Sequence, residues 1–197
     1  MMKIAFFQLY PPTIWAPGGG EVQLAKTKEA LERKGVKVIL FDPWSRSKDF
    51  DILHVFGSTY EVSSFVQVAK ELDIPVVVST ISYSAKPRWQ WWLWRRLDPL
   101  VPIDTTYRLR QKIYDSADRL IVMSKAEAEQ LKFGFSIRDE KLRLVPQGID
   151  KQRFENANPE LFLRRYGIKD FVLQVARINQ HKGQLGEFNL LKAQVFL

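Results

Sequence analysis

Short apolar runs recur along the chain at 3–9, 36–41, 51–56, 75–80, 118–123 and 142–145. Each is bounded by prolines, glycines or polar residues, as buried strands are. The run at 75–80 is rich in β-branched residues, which suits a parallel strand covered on both faces. Between these runs the period changes. Val22, Leu24, Ala25, Ala30 and Leu31 recur at roughly helical spacing over 21–34, and Gly35 follows as a stop. A second helix is predicted over 61–72. A third is predicted over 125–133, with Ser124 placed to cap it. Strands alternating with helices imply βαβ units and an α/β, Rossmann-like, doubly wound parallel sheet. Ligands of such sheets bind beyond the carboxyl ends of the strands. That singles out the loops at 11–20, 57–60 and 80–86, together with Ser124. The boundary of this domain is expected between residues 147 and 169, and a further strand is predicted over 171–176.

Composition narrows the chemistry. Hydrophobic residues make up 46% and charged residues 26% of 197, as in a soluble globular chain able to bury a core. There is no cysteine, which excludes disulfides and thiolate metal sites. His54 and His181 are the only histidines, too few for a histidine-rich metal site. No secretory signal pattern opens the sequence, and no apolar run approaches the ~20 residues of a transmembrane helix. A cytoplasmic protein is expected, with a peripheral position on the inner membrane face as the variant. The formal charge of +8 calls for an anionic partner: phosphate, nucleic acid or an acidic membrane surface.

Three groups of residues carry candidate chemistry. Gly18, Gly19 and Gly20 follow the first strand and open a helix, so their N–H groups can face an anion; a flexible turn is the plainer alternative. Arg177 and Lys182 stand at the carboxyl end of the 171–176 strand. Two fixed cations there would stabilise a departing diphosphate without a metal, unless they are simply solvated surface charges. The third group lies between Lys86 and Leu97. Trp89, Trp91, Trp92 and Trp94 are interleaved there with Arg88, Arg95 and Arg96. Tryptophan with arginine suits a helix lying in a membrane interface. An aromatic helix packed on the domain and a stacking surface for single-stranded nucleic acid are the alternatives. His54, inside a strand, is read as a structural imidazole.

One resemblance draws these groups together. Val145-Pro-Gln-Gly-Ile-Asp150, Phe154, Val172-Leu-Gln-Val-Ala-Arg-Ile178 and Lys182-Gly183 resemble the linker signature of GT-B glycosyltransferases. The type is the large retaining group 1, or family 4. Asp51-Ile-Leu-His54, Pro75 to Thr80 and Ala117 to Ser124 add to it. The resemblance implies two Rossmann-like domains: acceptor binding by residues 1–150, a linker over 151–169, and over 170–197 the start of a nucleotide-sugar-binding domain that is otherwise truncated. It further implies metal-independent transfer of a sugar, with retention, from a nucleotide-sugar to a saccharide or lipid-linked acceptor. The setting would be cell-envelope polysaccharide or glycolipid synthesis. Arg177 and Lys182 would hold the donor diphosphate, Gly19 and Gly20 would line the cleft, and Thr80 and Ser82 would form the acceptor-side loop.

The sequence also departs from the family pattern. Gln147 and Ala176 replace a frequent Asn and Gly, and Ser82 stands where many members have a histidine. The acidic pair of the donor site is missing, since Glu187 has Val195 eight residues on. No catalytic residue is therefore assigned, and no cofactor or metal is expected beyond the nucleotide-sugar co-substrate. An inactive half that binds only acceptor or membrane is the alternative. A basic nucleic-acid-binding domain is the weakest reading, and no nucleic acid partner is expected. With its partner strands absent, the 171–176 strand is expected to dock on the first domain, pair with another chain or be poorly ordered.

Overall fold

The computed structural model describes residues 2–9, 18–82, 84, 86–149, 151, 155 and 158–169. Contacts divide the chain into two units, Met1–Gly148 and Ile149–Leu197. In the first, β1 (Lys3–Gln8) leads to α1 (Gly19–Arg33) and β2 (Lys37–Leu40). Then come β3 (Ile52–Phe56), α2 (Ser63–Glu71) and β4 (Val76–Ser79). Two helices, α3 (Arg88–Leu97) and α4 (Thr106–Ser116), separate β4 from β5 (Arg119–Val122). The unit finishes with α5 (Lys125–Phe135) and β6 (Leu142–Leu144).

The six strands form one parallel sheet in the order β2-β1-β3-β4-β5-β6. The chain winds outward from β1 to β2, then returns across β1 and proceeds the other way through β3 to β6. The direction of winding thus reverses between β1 and β3, where doubly wound sheets open a crevice at their carboxyl edge.

Alternate strand residues face opposite sides and build two cores. Ala5, Leu53, Val55, Val76, Val78, Leu120 and Val122 pack with Val66 of α2, Ile113 and Tyr114 of α4, and Leu131 and Phe135 of α5. On the other face Ile4, Phe6, Val38 and Phe56 meet Leu24 and Leu31 of α1. The return from β2 to β3 has no helix. It is pinned by aromatic contacts of Phe41 with Phe50, Phe65 and Phe7, at centroid distances of 6.1, 5.2 and 5.7 Å.

The six strands expected between residues 3 and 145 and the helices over 21–34, 61–72 and 125–133 are present, trimmed or extended by a few residues at their ends. Among the described residues, two α-helices lie where none is expected. The first is α4, whose Thr105 cap accepts the Arg108 N–H at 3.0 Å. The second is in the other unit, where α6 (Glu160–Tyr166) occupies the stretch read as linker. Pro159 precedes it, Arg164 and Arg165 suit its negative end, and Gly167 closes it in the left-handed region at φ 67°. The predicted strand over 171–176 lies outside the described residues.

Candidate functional site

The carboxyl edge of the sheet is built loop by loop. After β1, Gly18 precedes α1 and donates its N–H to Glu21 at 2.8 Å, while the other oxygen of that carboxylate accepts from Gln8 Nε2 at 2.9 Å. This is the glutamate half of a capping box. The helix start read as an anion cradle therefore already holds a carboxylate of its own chain. Among the described residues nothing lies within 4 Å of a Cβ on Gly19, whereas a Cβ on Gly20 would come within 3.2 Å of Gln8 Nε2.

After β3 the chain turns at Gly57, whose φ of 94° only glycine adopts freely. Buried Ser58 then donates to the Thr80 carbonyl at 2.8 Å and shares a 3.0 Å hydrogen bond with the Tyr114 hydroxyl.

After β4 comes Thr80-Ile81-Ser82. Thr80 is fully buried, and Ile81 has φ 42°. A β-branched residue in the left-handed region costs on the order of 1–3 kcal/mol, so the surroundings must enforce it. Glu127 does so from the first turn of α5. Its Oε1 accepts the Thr80 hydroxyl at 2.6 Å and the Ser82 N–H at 2.8 Å, and its Oε2 accepts the Met123 N–H at 2.8 Å. Ile81 meanwhile packs on the Ile4–Phe6–Val38–Phe56 core. One turn along α5, Gln130 grips Ser84, accepting its N–H at 3.0 Å and donating to its carbonyl at 2.6 Å.

Arg110 of α4 completes the edge. It donates to the Ser82 hydroxyl and, at 2.8 Å, to the Tyr114 hydroxyl; its buried Nε has no partner among the described residues. Its side-chain hydrogen bonds thus go to neutral hydroxyls, and its guanidinium lies 5.8 and 5.7 Å from the Tyr114 and Phe135 ring centres. His54 lies behind this edge, bonded through Nε2 to Ser79 Oγ at 2.8 Å and stacked on Phe56 at 4.3 Å. Burial lowers its pKa to about 4, so it is a neutral core imidazole, as read from the sequence. The charged cleft around Lys70, Asp118, Arg138 and Lys141 is at the amino ends of the strands. There Lys70 and Asp118 already pair at 2.6 Å.

The tryptophans separate. Trp91 is 8% exposed and packs against Phe135 and Tyr107, with its ring where Gly134 leaves room. The sequence pattern groups it with the interfacial residues, and the structure corrects that: Trp91 is the anchor of α3 on the core. Trp89, Trp92 and Trp94 stay exposed. Arg95 donates to Ser136 Oγ at 2.8 Å, and the guanidinium groups of Arg88 and Arg96 lie 4.6 Å from the Phe133 and Trp92 ring centres. No described helix is long and apolar enough to cross a membrane.

Thr80, Ser82, Arg110, Tyr114 and Glu127 thus converge at one edge, while Arg177 and Lys182 lie outside the described residues. Sequence reading missed Arg110 and Glu127. Ser124-Lys-Ala-Glu127 does carry a capping-box signature. Ser124 indeed caps, accepting the Glu127 N–H at 3.1 Å, but the glutamate turns to the β4 loop instead of the cap.

Residues 43–153, more than half of the sequence, match Glycosyltransferase Family 4. The chain belongs to this family. The matched span contains the β4 loop, Arg110 and Glu127, and the parallel sheet is that of a GT-B amino-terminal domain. No curated protein matches the chain.

Proposed function

We infer that the carboxyl edge of this sheet binds the acceptor in a sugar transfer from a nucleotide-sugar. One observation carries this reading: the strained, clamped Thr80–Ser82 loop falls within the family-matched span, at the edge where α/β sheets take ligands. Loop strain held by an over-determined network is a mark of functional sites. Ser82 and Arg110 face the acceptor, and Glu127 positions them. Glu21 at the α1 start disfavours a phosphate in that loop and suits hydroxyl-bearing saccharide.

In the transfer, the bond from the anomeric carbon to the diphosphate breaks. A bond to the acceptor oxygen forms, the acceptor hydroxyl's proton passes to the departing diphosphate oxygen, and the nucleoside diphosphate leaves. Arg177 and Lys182 neutralise the charge on that leaving group, so no metal is required. Retention of configuration, and a saccharide or lipid-linked acceptor such as envelope-polysaccharide and glycolipid synthesis use, follow from the resemblance. A second reading is an acceptor-binding half without turnover.

Release of nucleoside diphosphate from UDP- and GDP-sugars, with and without saccharide and lipid-linked acceptors, tests the two. Acceptor-dependent release that Arg177→Ala abolishes supports transfer. Acceptor binding with no release from any donor supports the second reading.

A further inference from the structure

With Trp91 turned inward, 100° per residue places Trp89, Trp92, Leu93, Arg96 and Leu97 on the opposite arc of α3. Trp89 is 62% exposed, and Leu100 and Ile103, just beyond the helix, are 77% and 67% exposed. Together they make an apolar surface that the cores built by the described residues do not use. A soluble chain rarely exposes so contiguous a set without a partner.

Charge identifies the partner. Residues 86–103 carry Lys86, Arg88, Arg95 and Arg96 against a single carboxylate, Asp98. Asp98 is buried and spoken for by Thr105 and Arg108, the latter at 3.2 Å, so no acid of this stretch faces out. Arg88 and Arg95 flank the anchor, steadied by Phe133 and Ser136, so that on the outer arc Arg96, stacked on Trp92, is the cation among rings and aliphatics. Lys86 and Arg88 also border a cleft against Glu129, Gln130 and Phe133 of α5, beside the apolar arc.

The geometry points to docking of α3 on an anionic lipid surface: Trp89, Trp92, Leu93, Leu97, Leu100 and Ile103 enter the acyl boundary, and Lys86, Arg88, Arg95 and Arg96 meet the headgroups. Tryptophan and arginine suit that depth, with rings in the apolar layer and N–H groups in the wet one. Single-stranded nucleic acid fits less well, because the four aliphatic side chains offer no face for a base to stack on. A second copy of the chain would bring four cations against four.

Docking is independent of which donor or acceptor the crevice takes, so a failed vesicle assay leaves the proposed transfer untouched. The test is co-sedimentation of the full chain with phosphatidylcholine vesicles, with and without phosphatidylglycerol. Wild type is compared with Trp89→Ser/Trp92→Ser and with Arg96→Glu; these side chains are exposed, so the thermal melts should coincide. Expected is binding to the anionic vesicles alone, weakened by salt, about tenfold or more weaker in the double variant and roughly fivefold or more weaker in Arg96→Glu. Equal binding by the double variant overturns the inference, as does absence of binding to anionic vesicles. So does tight binding of oligo(dT), or a dimer, that the double variant abolishes while vesicle binding persists.

Discussion

Glu127 accepts the Thr80 hydroxyl at 2.6 Å across the gap between α5 and the end of β4, and the same oxygen takes the Ser82 N–H. That bond holds Ile81 in its left-handed conformation and brings Ser82 under Arg110. A single carboxyl thereby joins the helix to the loop that the proposed acceptor meets.

Glu127→Gln keeps the shape but sets an NH₂ group against the Met123 N–H, which now donates to Oε2. The expected loss of stability is about 1–3 kcal/mol, measured by urea denaturation. Acceptor affinity should fall with it, because the loop can relax. An unchanged midpoint would remove Glu127 from its positioning role.

Arg110→Gln should leave the melt within a few degrees of wild type while raising the acceptor KM by roughly tenfold, the order of one hydrogen bond to a charged group. The donor KM should not move. A change in the donor KM alone would reassign this arginine to the other substrate.

Trp91 and Trp92 are neighbours in sequence with opposite expected costs. Trp91→Ala empties a site enclosed by Phe135, Tyr107 and Gly134 and should cost about 3–5 kcal/mol. Gly134→Ala would place a Cβ 3.1 Å from the same indole and should cost about 1–3 kcal/mol by overpacking. Trp92→Ala, on the outer arc, should stay within about 0.5 kcal/mol. Guanidinium titrations of the three variants check the order.

His54 makes stability depend on pH. Its folded pKa is about 4 against an ordinary 6.5, so as pH falls below about 6.5 the unfolded chain takes up a proton that the folded one refuses. Stability from this residue is complete above pH 6.5, declines toward pH 4 and levels off below, by an amount on the order of 3 kcal/mol. In His54→Gln the slope across that window should flatten, whatever the variant's overall stability. Melts between pH 7 and 4 supply the comparison.

The strands were legible because parallel strands buried on both faces read as unbroken apolar runs; Leu53, Val55, Val76 and Val78 show this directly. Ser124 was legible because capping is local. What stayed hidden depends on distant partners. The inward face of α4 is carried largely by Tyr107, Ile113 and Tyr114 amid a polar sequence, which masks its helical period. Glu127 looks like an ordinary capping-box acid until β4 arrives beside it. Of four tryptophans, only the one opposite Gly134 could be buried, and no sequence period brings residues 91 and 134 together.

Calorimetric titration of the full chain with UDP, GDP and their sugar conjugates, repeated on Arg177→Ala, tests the glycosyltransferase reading most directly. Micromolar binding of one nucleotide series, lost in the variant, is the expected result. Binding that survives Arg177→Ala, or no binding of any nucleotide, would contradict it.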